Sequence, residues 1–158
     1  MITCFFENNN KVFLRHVVVD NIVIKNNQIL LVKRAPDTPA HPNKYSLPGG
    51  YLDRDETMTQ GTLREFEEET GYKGKIVSLF RINSDPNRKG EDKQNIDFVY
   101  LTEAKEKISE PDSEISEAVW FDLDNLPKPE EIAFDHWENI ELYLKHKEKP
   151  FSLPILNL

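Results

Sequence analysis

The sequence predicts an α/β fold, an α/β/α sandwich with a central mixed sheet. Three observations predict it. Runs of β-branched and aliphatic residues recur between residues 11 and 32 and again at 76–80, 96–101 and 115–121. Two stretches, residues 58–70 and 130–147, carry apolar side chains at helical spacing instead. The chain of 158 residues is long enough for one sizeable core and gives no reason to expect two domains.

Taken in order, residues 2–6 and 11–19 are β-rich and flank Asn8-Asn9-Asn10, which predicts a hairpin with an asparagine turn. Residues 1–12 read as a β extension to the main fold. Val17-Val18-Val19, Ile22-Val23-Ile24 and Ile29-Leu30-Leu31-Val32 read as core strands, punctuated by Asp20-Asn21 and by residues 25–28. Residues 35–48 hold Pro36, Pro39, Pro42 and Pro48 and read as a loop. Thr57 to Gln60 fits a capping box that opens a helix over about residues 58–70. Leu63 and Phe66 face inward on that helix, Gly71 caps its end, and Gly61 is its weak spot. Residues 83–95, with Pro86 and Gly90, read as a polar loop. Residues 103–114 read as an acidic loop, and 115–121 as a strand ending in Trp120-Phe121. A turn at Asp124 to Pro127 leads to a second amphipathic helix over 130–147, with Ile132, Trp137, Ile140, Leu142, Tyr143 and Leu144. The tail from 148 to 158 shows no clear period.

Charged residues make up 30% and apolar residues 38%, as in a globular domain. The net charge of −8 argues against a general nucleic-acid surface. It also demands local cations for any anionic substrate. Cys4 is the single cysteine, so neither a disulfide framework nor a cysteine zinc site is available. No secretory leader or membrane-length apolar run is visible, and a reducing, cytoplasmic setting is expected.

The chemistry concentrates in residues 50–72, GYLDRDETMTQGTLREFEEETGY. On a helix, Glu65, Glu68 and Glu69 stand at i, i+3 and i+4 and share a face. Each like-charged pair costs roughly 0.2–0.5 kcal/mol. The helix dipole near Gly71 disfavours negative charge further. A solvated acidic face explains an isolated charge run. Here, however, a glycine stands at each end, with Glu56 in front and apolar residues between. Hard carboxylate oxygens on one face suit Mg²⁺ or Mn²⁺.

This segment resembles the signature box of the Nudix hydrolases, G-x5-E-x7-R-E-U-x-E-E-x-G-U. Gly50, Glu56, Arg64, Glu65, Glu68, Glu69 and Gly71 fill its fixed positions, and Phe66 and Tyr72 fill the bulky apolar ones. The resemblance runs from about residue 15 to residue 145 and implies the Nudix fold. It implies metal-dependent hydrolysis of a nucleoside diphosphate linked to another group. It further implies that Glu65, Glu68 and Glu69, with the Gly50 carbonyl, ligate Mg²⁺ or Mn²⁺. Glu56 becomes either a further ligand through water or a partner for Arg64, which orients the glutamates. The general base is Glu65 by one family pattern. By another it lies among Glu103, Glu106, Glu110, Asp112, Glu114 and Glu117, of which Glu114 is favoured. Asp53 and Asp55 depart from the commoner Glu and Gly of relatives, a matter for the loop's shape rather than for the metal.

Ser84-Asp85-Pro86-Asn87-Arg88 resembles a segment of ADP-ribose pyrophosphatases. Pro86 would rigidify a turn, and Arg88 would reach a phosphate or ribose; an ordinary turn is the competing reading. Arg34, Arg15 and Lys44 are further phosphate candidates. Tyr45, Phe13 and Trp137 are stacking candidates, although aromatics more often fill cores. His16, His41, His136 and His146 lack metal-ligand spacing and read as structural or exposed. The leading expectation is cleavage of ADP-ribose to AMP and ribose 5-phosphate, with a small nucleotide as partner rather than nucleic acid or membrane. A (d)NTP pyrophosphohydrolase acting on oxidised nucleotides and a catalytically silent nucleotide-binding regulator are the alternatives. Pairing into a homodimer is expected by analogy with relatives.

Overall fold

The computed structural model describes residues 2–88 and 94–157. Gly90 and the chain ends at Met1 and Leu158 therefore lie outside the described residues. The N-terminal hairpin forms as expected, from β1 (Ile2–Phe5) and β2 (Lys11–Leu14), as a separate antiparallel pair. Asn9 supplies the positive φ that the turn requires, at 63°.

The main sheet is built on β3 (Val17–Lys25). Asp20-Asn21 does not break this strand, against expectation. The Asn21 side chain is fully buried but satisfied: its amide donates to the carbonyls of Pro48 and Thr62, both at 3.2 Å, and its oxygen accepts from the Thr102 hydroxyl at 2.6 Å. A polar residue with every bond met can sit inside a sheet. Asn26 and Asn27, both at positive φ, then turn the chain into β4 (Gln28–Arg34).

The proline-rich loop contains two short strands, β5 (Tyr45–Ser46) and β6 (Gly49–Tyr51). Helix α1 (Met58–Thr70) follows with the expected bounds. β7 (Tyr72–Asn83), β8 (Ile96–Lys107) and β9 (Ile115–Asp122) come next. β8 carries residues 103–107, so the expected acidic loop is shorter than its composition implied. Alternation explains this: Thr102 and Ala104 are buried while Glu103 and Lys105 are exposed.

A 3-10 turn at Pro129–Glu131 delays α2 to His136–Glu148. Ile132 and Ala133 pack in the core ahead of the helix rather than inside it. The tail ends in β10 (Ile155–Asn157), another strand that its composition did not announce.

The sheet runs β10-β7-β8-β3-β4-β5, with β6 also paired to β3 and β9 to β4. It is mixed: β3 is parallel to β8, and β10 to β7. Alternation along β3 and β4 sends side chains to two cores. Ile22, Ile29 and Leu31 join Phe80, Val99 and Ile140 on the α2 side. Val23 and Leu30 join Phe66 on the α1 side. Two helices on opposite faces of one sheet make the predicted sandwich.

Candidate active site

The acidic helix is held at both ends. The Thr57 hydroxyl accepts the Gln60 N–H at 3.3 Å while the Gln60 side chain accepts the Thr57 N–H at 2.8 Å, completing the capping box. Gly71 closes the helix at φ 74°, and its N–H donates to Glu67 O at 2.8 Å. A side chain there would start 2.0 Å from the Ser109 carbonyl. Phe66 is fully buried against the sheet, so Glu65, Glu68 and Glu69 line a cleft of about 410 Å³. Gly61 is more than a weak spot, because an added Cβ would press on Leu52 and Glu56 at 2.8 and 2.7 Å.

Arg64 is the hub of the carboxylates. Its Nε and Nη2 donate to the two Glu56 oxygens at 3.1 and 2.8 Å, and Nη2 also donates to the Tyr51 carbonyl at 3.0 Å. Nη1 donates to Glu65 at 2.8 Å and Glu68 at 3.0 Å. The Glu56 bond, above all, raises the Arg64 pKa over burial's opposition. The same bond lowers that of Glu56. Of the two expected roles for Glu56, the geometry matches the partner of Arg64. Asp55 takes φ 69°, a conformation that glycine adopts freely and Asp tolerates. The departure from family pattern thus leaves a left-handed turn in place.

Glu65 and Glu69 differ from Glu56. Burial pushes the Glu65 pKa up, against the pull of Arg64. Glu69 is buried and its pKa is pushed well above the usual carboxylate range, opposed by the Gly49 N–H at 2.8 Å. These two carboxyls are under-compensated where they sit.

The two glycines let the backbone come close. A Cβ on Gly49 would fall 2.1 Å from the Val19 carbonyl, and one on Gly50 2.6 Å from the Glu65 carboxyl. Among the described residues no three His, Cys, Asp or Glu side chains form a ready-made metal cage. Instead Glu56, Glu65 and Glu68 converge on the Arg64 guanidinium. The donor set nevertheless fits a hard dication. It is all oxygen, and Glu65, Glu68 and Glu69 with the Gly50 backbone share one cleft.

The cleft floor comes from elsewhere in the chain. Asp20 and His136 are both buried, with His136 Nε2 at 3.3 Å from Asp20 Oδ2. The other imidazole nitrogen, Nδ1, accepts the Leu47 N–H at 2.9 Å. Burial resists a charge on His136 while Asp20 favours it and raises its pKa; a second proton would have to displace the Leu47 bond. The pair thereby braces the segment that leads into Gly49 and Gly50.

Of the expected site residues, Gly50, Arg64, Glu65, Glu68, Glu69, Arg34, Arg88 and Glu114 all line the cleft. Asp112 joins Glu114 there, its N–H donating to Glu68 O at 2.9 Å and its carboxylate accepting the Glu114 N–H at 2.9 Å. Pro86 is exposed and stands outside the lining. Arg88 is buried: its Nε and Nη2 fork onto Asp135 at 2.8 and 2.6 Å and Nη2 reaches Asp97 at 3.3 Å, which leaves Nη1 without a hydrogen-bond partner among the described residues. Arg15 ties the carbonyls of Gln94 and Asn95 at 2.7 and 2.8 Å. Tyr45 and Trp137 pack against the core, Phe13 lies exposed on the hairpin, and Glu103 and Glu106 belong to β8. Asp20, Phe134 and His136 also reach the cleft; the sequence offers Asp20 only as turn punctuation, His136 only as a structural or exposed histidine, and Phe134 not at all. Asp20 interrupts an apolar run, Phe134 and His136 fall within the stretch expected to be helical, and none carries a motif, so no local signal marks them.

A family model described as NUDIX domain matches residues 14–143. The chain is 37% identical over 133 residues to an ADP-ribose pyrophosphatase of Methanocaldococcus jannaschii, covering 83% of this chain and 74% of that one. It is 40% identical over 65 residues to an 8-oxo-dGTP diphosphatase of Escherichia coli, covering 40% of this chain and 49% of that one. The crystal structure of an ADP-ribose pyrophosphatase from Streptococcus suis shares the fold. Its TM-score is 0.73 at 20% identity, over 91% of this chain and all of that one. A match of this extent, over a chain that fills every fixed position of the box, supports one assignment: the protein belongs to the Nudix family and is a pyrophosphohydrolase.

Proposed function

We propose that the protein hydrolyses the diphosphate of a nucleoside diphosphate derivative, with ADP-ribose, cut to AMP and ribose 5-phosphate, as its substrate. The observation that carries this reading is the meeting of Glu65, Glu68, Glu69 and Arg34 in one cleft. Carboxylates are there to hold a dication and a guanidinium to meet an anion. The similarity to a relative named for ADP-ribose favours that substrate. The shorter matches to proteins named for 8-oxo-dGTP favour a (d)NTP as the second reading.

Glu65, Glu68, Glu69 and the Gly50 carbonyl would hold Mg²⁺ or Mn²⁺. Such an ion neutralises diphosphate charge and acidifies a water molecule. Arg64 orients Glu65 and Glu68, and Glu56 fixes Arg64 in turn. Glu114, exposed on the loop between β8 and β9, takes the proton from the attacking water as general base. Glu65 is the less suitable base because Arg64 already engages it. Arg34 meets the diphosphate; Arg88, held by Asp135, keeps Nη1 as a second guanidinium donor in the cleft lining, and Pro86 shapes the turn that leads to it. The reading includes one domain spanning residues 1–158, action in the cytoplasm on a small molecule rather than on nucleic acid or membrane, and pairing into a homodimer. No helix of the described residues is long and apolar enough to cross a membrane.

A substrate panel with Mg²⁺ and Mn²⁺ tests the reading. ADP-ribose should yield AMP and ribose 5-phosphate faster than any triphosphate yields pyrophosphate. Negligible ADP-ribose turnover beside rapid pyrophosphate release would overturn it in favour of the second reading.

A further inference from the structure

We propose that Phe134, its ring held by Arg34, forms a stacking clamp for the purine base of the substrate. The inference rests on the nucleoside diphosphate reading above.

Phe134 takes φ 55°, a left-handed conformation that is an outlier for a bulky aromatic residue. Strain of this kind persists only where the surroundings over-determine it, and it gathers at ligand clamps. Both sides of Phe134 are pinned. The Ala133 N–H donates to Tyr45 O at 2.7 Å, and Asp135 is forked by Arg88. The following His136 is locked between Asp20 and the Leu47 N–H. The backbone thus holds Phe134 turned out of the core. Ala133, Asp135 and His136 are buried, whereas Phe134 is half-exposed and lines the cleft.

Three groups fix its ring. The Arg34 guanidinium carbon lies 5.3 Å from the ring centroid. His41 meets the ring edge-to-face at 4.6 Å, and His136 lies tilted at 5.1 Å. Arg34 is itself anchored, its Nε donating to the Ala40 carbonyl at 2.8 Å. This wall differs in chemistry from the carboxylate wall. It offers a flat π face and a flat cation, with Pro39 and Ala40 beside them in the lining. A neutral heteroaromatic ring satisfies such a surface, whereas a polyhydroxylated sugar would ask for a row of hydrogen-bond partners. Arg34 also joins the two walls, since it lines the same cleft as Glu69. A base against Phe134 therefore places its diphosphate beside Arg34, on the side of the glutamates.

The test uses F134N, F134W and the wild type. Asn tolerates positive φ, so F134N should keep or raise the Tm. It should also raise the ADP-ribose KM and the AMP inhibition constant about tenfold, with kcat within about threefold by the same reasoning. Inhibition by ribose 5-phosphate should not change, and F134W should hold AMP as the wild type does. Unchanged AMP inhibition and KM in F134N would overturn the clamp, and a lowered Tm beside them would mark Phe134 as packing only. If the wild type cleaves no nucleoside diphosphate, the functional reading fails by itself. Calorimetry with AMP then decides the clamp. Binding lost in F134N upholds it; equal binding, or none to the wild type, overturns it.

Discussion

Replacing Asp135 by asparagine should unseat Arg88 and cost the fold a large part of its stability. Both side chains are almost wholly buried, and the fork between them is short, at 2.6 and 2.8 Å. Removing one partner of such a pair typically costs about 3–5 kcal/mol, because the other charge stays buried. Asp97 remains 3.3 Å from Arg88, so the low end, about 3 kcal/mol, is expected. For a chain of this size that lowers the Tm by about 6–12 °C. R88M should cost a similar amount, since it strands Asp135 and Asp97. The double variant should cost less than the sum of the two.

Calorimetric and urea melts of the three variants measure this. The acid limb adds a control. Burial pushes the Asp135 pKa up, but Arg88 outweighs burial and holds it below the ordinary value. A carboxylate whose folded pKa is depressed stabilises above its unfolded pKa, about 3.9, and loses that contribution as pH falls through the folded one. The gap between wild type and D135N should therefore be full at neutral pH and close below about pH 4. A D135N melt within about 2 °C of wild type at neutral pH would refute the argument. An R88M variant with raised KM and unchanged Tm would instead return Arg88 to the phosphate role that its sequence neighbourhood suggested.

Four further outcomes are expected. E68Q should lower kcat/KM by more than the ~10–100-fold of supporting residues, and chelation should abolish wild-type turnover until Mg²⁺ or Mn²⁺ is restored; near-wild-type rates in E68Q would remove it from the ligand set. T57A should lose about 1 kcal/mol in urea melts through its capping box, and no loss would mean that the cap contributes nothing. D55G should hold or raise stability, by up to about 1 kcal/mol, because φ 69° suits glycine better; a clear loss would show that the Asp55 side chain matters in itself. G71A should destabilise by at least ~1–3 kcal/mol, given φ 74° and a Cβ 2.0 Å from Ser109 O, and an unchanged melt would contradict that geometry.

The acidic helix could be read to the residue because everything that defines it is local. Thr57 and Gln60 start it, Gly71 stops it, and the glutamate spacing sets the face that it turns to the cleft. The Asn26-Asn27 turn and the alternation along β8 are of the same kind, although the acidic composition of residues 103–107 hid the latter. Asp20-Asn21 misled because a polar pair normally marks a turn. Here Pro48, Thr62, Thr102 and His136, all distant in sequence, supply the missing partners. Arg88 was legible in part: its neighbours suggested a guanidinium for a phosphate or ribose, and it does line the cleft, but its burial against Asp97 and Asp135 depends on partners that no local pattern announces.

Local pattern was enough for the sandwich, the helix and the carboxylate face, since the pitch of a helix and the pleat of a strand are written within a dozen residues. Long-range pairing alone brought Asp20, Arg34, Asp112, Phe134 and His136 to one cleft. No window of sequence contains those neighbours. Whether a buried charge or a strained ring is tolerable depends on which groups the folded chain places against it.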